Sequence, residues 1–161
     1  MSAWREELDA ITGSRHGGQI EHVLELLTKL DDRYPNVAEI NYQLAWTCDV
    51  LGQEAKAVPY YEKAIALGLP SNELSGALLG LGSSLRCLGQ LDRSVEVLRF
   101  ALAQFPDNRE FDVFLALSLH QSGQHTESTR LLLTVIADTS EDPGLTAYQR
   151  AIRHYAGQLD N

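Results

Sequence analysis

The chain has 161 residues, with 13 Lys+Arg against 22 Asp+Glu and 44% hydrophobic residues. Its formal net charge of −9 argues against a nucleic-acid or anionic-membrane surface, since both need basic patches that displace counterions. The apolar fraction can build a core, no apolar run approaches a membrane span, and two cysteines, Cys48 and Cys87, are too few for a disulfide framework.

Length favours one domain over residues 1–161. The opening Met-Ser-Ala-Trp-Arg-Glu-Glu has no basic stretch followed by an apolar one, so no secretory signal is read and a reduced, cytoplasmic setting is expected. Along the chain, apolar residues recur at three and four, as in Leu78, Leu81, Leu85 and Leu88. That period is helical, and no segment alternates like a strand. Nine helices are predicted, near 2–16, 19–34, 37–51, 54–68, 72–88, 91–105, 108–122, 125–138 and 143–158. Gly18, Gly52, Gly89 and Gly123 close the first helix of each pair, at separations of 34, 37 and 34. Pro35, Pro70, Pro106 and Pro143 punctuate the rest. A glycine suits the left-handed position after a helix, where a Cβ would clash. Asn36 and Asp107, each with a Glu three residues on, read as N-terminal capping boxes, and Asp142-Pro143 as a cap before a first-turn proline. The stretch Gly68–Ser71 is expected to absorb the three extra residues of the longer spacing.

These marks carry a resemblance. Leu44, Ala45, Gly52, Ala57, Tyr61 and Ala64 in one unit, and Leu81, Gly82, Gly89, Ser94, Ala101 and Pro106 in the next, resemble the tetratricopeptide repeat (TPR), a helical hairpin of about 34 residues. The fourth unit (Leu115, Ala116, Gly123, Ser128, Leu132) is looser and the first (Gly18, Leu27, Leu30, Pro35) degenerate. The chain also resembles small stand-alone bacterial TPR proteins. The resemblance implies an all-α, right-handed TPR superhelix of about four hairpins (2–35, 36–70, 72–106, 107–140) plus a capping helix at 143–158. It also implies a non-catalytic protein- or peptide-binding role as adaptor or scaffold, or else a homodimer. No cofactor, metal, nucleic acid or membrane is expected.

In such a stack the first helix of each pair lines the inner groove. At helical spacing the first unit presents Arg5, Asp9, Thr12 and His16. The second presents Glu39, Gln43, Trp46 and Val50, with Tyr42 beside them. The third presents Gly76, Gly80, Ser83 and Cys87, and the fourth Glu110, Phe114, Leu117 and Gln121. Helix-interior glycine costs about 1 kcal/mol relative to alanine, so the Gly76/Gly80/Ser83 row needs a reason. We expect a trough there, flanked by Tyr42 and Trp46 on one side and Phe114 and Leu117 on the other. It would receive a partner segment or the protein's own last helix, or the glycines merely relieve crowding. Gly80→Leu is expected to fill the trough without disturbing the helices. The partner-binding set is Tyr42, Gln43, Trp46, Gly76, Gly80, Ser83, Arg86, Phe114 and Leu117. The lysines of a carboxylate clamp are missing from this row. The acidic rim of Asp9, Glu39, Asp49 and Glu110 favours an apolar partner with basic flanks. In the last helix, Leu145, Tyr148, Ile152, Tyr155 and Leu159 form one stripe, expected to cap the stack or to pair two copies.

No catalytic signature is read. His120 and His125 flank the turn at Gly123 and read as turn-lining polar residues, not metal ligands. Gly80–Leu85 lacks the third glycine and preceding strand of a dinucleotide loop. Cys48 and Cys87 read as ordinary thiols.

Overall fold

In the computed structural model of this chain, which describes residues 2–160 (for His16 the backbone alone), the closing glycines turn left-handed as expected: φ is 70° at Gly52 and 83° at Gly123. Among the described residues there are ten α-helices and no strand. They are α1 (Ala3–Gly13), α2 (Ile20–Arg33), α3 (Ala38–Val50), α4 (Glu54–Leu67), α5 (Ser71–Cys87), α6 (Leu91–Gln104), α7 (Glu110–Gln121), α8 (His125–Thr139), α9 (Pro143–Ala147) and α10 (Gln149–Ala156). A single 3₁₀ turn, Ser14–Gly17, follows α1. The expected groove position of the His16 side chain lies outside the described residues.

The chain falls into two compact units, Met1–Leu88 and Gly89–Asn161. In the first, α1 packs on α2, α2 on α3, α3 on α4, and α5 on both α3 and α4. Leu8, Val23, Leu27, Leu30, Ile40 and Leu44 form its core, with Trp4, Ile11 and Tyr60 packed against them. Each large apolar side chain buried in this way contributes about 1.5–3 kcal/mol. Ala45, Ala57, Ala64 and Ala77 are fully buried and let the helices approach. In the second unit, α6 packs on α7, α7 on α8, and α8 on α9 and α10. Leu98, Ala101, Phe111, Leu115, Ala116 and Leu119 are buried there. Small hydroxyls serve the closest approaches: Ser94 and Ser118 hydrogen-bond at 2.8 Å, and Ser128 Oγ donates to the Ala116 carbonyl at 2.6 Å.

Several expectations about detail fail for physical reasons. The capping boxes do not form. Asn36 takes φ 66°, a left-handed turn that asparagine tolerates, and Val37 stands at the helix start with no side-chain cap. At α7 the N-cap is Arg109, again without a side-chain cap, and Asn108 Nδ2 donates to Glu110 Oε1 at 3.1 Å. The cap at Asp142 does form: its Oδ2 accepts from the Leu145 amide at 3.0 Å. The extra residues of the third unit do not sit in the loop. They lengthen α5 to 17 residues, against 13 in α3 and 12 in α7, which is about one added turn.

The last helix breaks at Tyr148 (φ −107°). Asp142 fixes the start of α9, whereas α10 is tied to the end of α8: Gln149 Nε2 donates to the Ala137 carbonyl at 2.6 Å, and Arg153 binds Asp138 at 2.8 Å. Two anchors with different directions leave no single straight axis. The expected apolar stripe is correspondingly split. Ala156 is buried and Ile152 half-buried, whereas Tyr148 and Tyr155 are 69% and 65% exposed.

Candidate functional site

Within the first unit, α1, α3 and α5 contribute to one face. Arg5 on α1 reaches Glu39 on α3 at 3.6 Å and Glu73 on α5 at 3.4 Å, with Asp9 at 3.7 Å on its own helix. The register is that of the repeat, since 39 − 5 = 34 and 73 − 39 = 34. Glu73 escaped the sequence reading, and the 34-residue spacing was the signal that could have found it. This ion-pair ladder partly neutralises the expected acidic rim. Of that rim, Asp9 stays exposed, Glu39 is engaged by Arg5, and Asp49 turns inward.

One to two turns further along α3 lie Tyr42, Gln43 and Trp46. Trp46 is 37% exposed. The Arg15 guanidinium lies 4.1 Å from its ring centroid, and Arg15 Nη2 donates to Thr47 Oγ1 at 3.1 Å. A cation over a tryptophan face stabilises by about 0.5–2 kcal/mol. Burial lowers the pKa of Arg15, but a guanidinium remains charged throughout the working range. The Tyr42 hydroxyl is pushed above its ordinary value by burial and by the charge of Glu73. Gln43 Oε1 is buried and accepts no hydrogen bond.

The glycine row on α5 receives the chain's own tyrosines. A Cβ on Gly76 would overlap the Tyr42 hydroxyl, and one on Gly80 would overlap Cζ and Oη of Tyr61. Tyr61 is 1% exposed. Its hydroxyl donates to Asp49 Oδ2 at 3.1 Å, and Ser84 Oγ donates to Asp49 Oδ1 at 3.0 Å. Burial raises the Asp49 pKa against the opposing effect of these two donors, and burial with the adjacent Asp49 raises that of Tyr61. The reason for Gly76 and Gly80 is therefore close packing of α5 on α3 and α4. The expectation that Gly80→Leu would only fill a trough is corrected accordingly, because a side chain there displaces Tyr61 from the core. Along the same helix, Ser83 and Arg86 are half-buried and Cys87 exposed, with Arg86 Nη2 3.9 Å from its Sγ. In the second unit, α7 carries Phe114, half-buried, and Leu117, exposed.

Gly80–Leu85 lies inside α5, so it offers no loop to a phosphate. Cys48 is buried and Cys87 exposed, and both are free thiols. An open recess of about 420 Å³ in the second unit, lined by Gly89, Gln90, Leu91, Asp92, Arg93 and Ser122, includes none of the expected partner residues. No helix among the described residues is long and apolar enough to cross a membrane.

A family profile described as "Tetratrico peptide repeat" matches residues 38–159. No curated protein sequence matches the chain. Among solved structures, the crystal structure of YrrB, described as a TPR protein with an unusual peptide-binding site, is 16% identical. Its TM-score is 0.74, over 92% of this chain and 75% of that one. MamA from Desulfovibrio magneticus RS-1, residues 41 to the end, is 17% identical with a TM-score of 0.72, over 99% of this chain and 93% of that one. A further MamA crystal structure is 18% identical with a TM-score of 0.71, over 81% and 69%. At these identities the likeness is one of fold, and it is the all-α repeat fold expected from the sequence.

Proposed function

The chain belongs to the tetratricopeptide-repeat family, and from that premise we propose that it is a non-catalytic adaptor or scaffold that binds a protein or peptide segment. The binding surface is the α1–α3–α5 face of the first unit. Tyr42, Gln43 and Trp46 supply its aromatic and amide contacts. Ser83 and Arg86 continue it along α5, and Gly76 and Gly80 hold Tyr42 and Tyr61 in place beneath it. In the second unit, Phe114 and Leu117 on α7 present the corresponding first-helix contact.

One observation carries this reading. Trp46 stands 37% exposed with Arg15 stacked on it, a pre-ordered aromatic–guanidinium pair of the kind that anchors interfaces. The partner we expect is a short apolar segment with basic flanks, which complements a net charge of −9. The peptide-binding site named for YrrB supports the same class of partner. The proposed setting is the cytoplasm of a bacterium, consistent with two free thiols. The test is selection from a displayed library of 12-residue peptides, followed by titration of the selected peptide. Trp46→Ala is expected to weaken binding about thirtyfold, as for an interface hot spot. Unchanged affinity in that variant removes the face from consideration.

A second reading rests on Tyr148, at the break between α9 and α10, and Tyr155 on α10, exposed at 69% and 65%. They would join two copies as a homodimer. Sedimentation velocity separates the readings: Tyr148→Ala/Tyr155→Ala converts a dimer to a monomer only if these rings form the contact.

A further inference from the structure

His120, in the last turn of α7, and His125, the first residue of α8, face each other across the Ser122–Gln124 turn. Their Nδ1 atoms are 3.1 Å apart. The ring centroids are 4.6 Å apart, with planes at 60°. The difference, 4.6 − 3.1 = 1.5 Å, is less than two ring radii laid end to end. The rings therefore do not meet head-on. One Nδ1 hydrogen-bonds the other, the donor being set by the tautomer, and both nitrogens can ligate when each ring carries its proton on Nε2. Two bonds of about 2.05 Å to atoms at this separation enclose an angle of about 98°, between the cis angle of a tetragonal site and the tetrahedral angle.

The backbone holds this arrangement in advance. The Gly123 amide donates to the His120 carbonyl at 3.0 Å, and the Gln124 amide to the Leu119 carbonyl at 2.8 Å. Gly123, at φ 83°, supplies the left-handed residue such a double bond needs. Both imidazoles are exposed, so an ion can reach them from solvent. The negative end of the α7 dipole lies on one side and the positive end of α8 on the other, so their effects on a cation largely offset.

We propose that His120 and His125 form a two-imidazole chelate for a divalent transition-metal ion, tightest for Cu(II). Imidazole nitrogen suits copper, nickel and zinc, and copper heads the affinity order for such donors. No group of three or more His, Cys, Asp or Glu able to hold a metal occurs among the described residues, so water fills the remaining positions. The bound ion would clamp the α7–α8 hairpin at its turn. Neither histidine is among the peptide contacts proposed above.

The test is titration of the untagged full chain with Cu(II), followed by proton–nitrogen correlation spectra and calorimetry. Broadening is expected to centre on residues 119–126. His120→Ala and His125→Ala should each weaken binding about a hundredfold, because the second donor then no longer acts intramolecularly. His154→Ala should leave it unchanged. Both rings are exposed, so the variants should fold, and circular dichroism checks that they do. Equal affinity in wild type and both single variants, or broadening centred elsewhere, overturns the proposal.

Discussion

Gly80→Ala gives the sharpest test of how α5 is packed. Were Gly80 an ordinary half-exposed helix position, alanine would stabilise the chain by about 1 kcal/mol. The structure reverses the sign. The new methyl would lie 2.8 Å from Cε1 of Tyr61 and overlap its hydroxyl end, and Tyr61 is 1% exposed. Overpacking of this kind costs about 1–3 kcal/mol. Displacing the Tyr61 hydroxyl from Asp49 costs a further 1.5–3 kcal/mol or so, because the acceptor is charged. Set against the helix gain, the net loss is about 3 kcal/mol. Urea unfolding followed by circular dichroism measures it. In a Tyr61→Leu background the clash is gone, and Gly80→Ala should become neutral or stabilising. Gly76→Ala is the internal control. It meets only the outer end of a half-buried Tyr42, which can swing, so its effect should stay within about 1 kcal/mol. A Gly80→Ala protein as stable as wild type would refute the packing argument.

Four further outcomes follow from named contacts. Ala64→Asp places a charge at a fully buried helix contact and should destabilise by about 3–5 kcal/mol, read by urea midpoint. Pro59→Ala restores an amide inside α4 and should raise stability by about 1–3 kcal/mol, by the same assay. Asp49 has a folded-state pKa raised chiefly by burial, so the native state holds its proton more tightly than the unfolded state. Its stabilising contribution is full below the ordinary carboxylate value and is lost as pH rises through the folded value. Wild type should therefore gain stability relative to Asp49→Asn as pH falls from 7 towards 4, and a relative loss would contradict the assignment. Asp138 is held below its usual range by Arg109 and then Arg153. Asp138→Asn should lower the amide protection factors, corrected for intrinsic exchange, across residues 149–156, and acidification of wild type through the folded Asp138 pKa should lower them too.

The hairpin pattern was legible because glycine announces a left-handed backbone: Gly18, Gly52, Gly89 and Gly123 all adopt positive φ. Of the periodic leucines, Leu78, Leu81 and Leu85 are buried as the helical repeat requires, whereas Leu88, at the end of α5, is 38% exposed. The meaning of the α5 glycines was legible only as a question. Tyr42 lies 34 residues before Gly76, but Tyr61 comes from a second helix, and no linear spacing tells which ring fills which hollow. Asn36 misled because one residue type serves both caps and left-handed turns, and the choice depends on where the next helix packs. The break at Tyr148 escaped because no proline or glycine causes it. It follows from Gln149 and Arg153 gripping the end of α8. Trp46 was recognisable as a candidate contact, but its stacking on Arg15 joins positions 31 apart (46 − 15 = 31) across a degenerate repeat.

The most direct measurement is a chemical-shift map of a library-selected peptide on the isotopically labelled chain. Shifts concentrated on Arg15, Tyr42, Gln43 and Trp46, and losing their saturation in Trp46→Ala, are what this account requires. Shifts confined to residues 143–160, or an unaltered map in that variant, would contradict it.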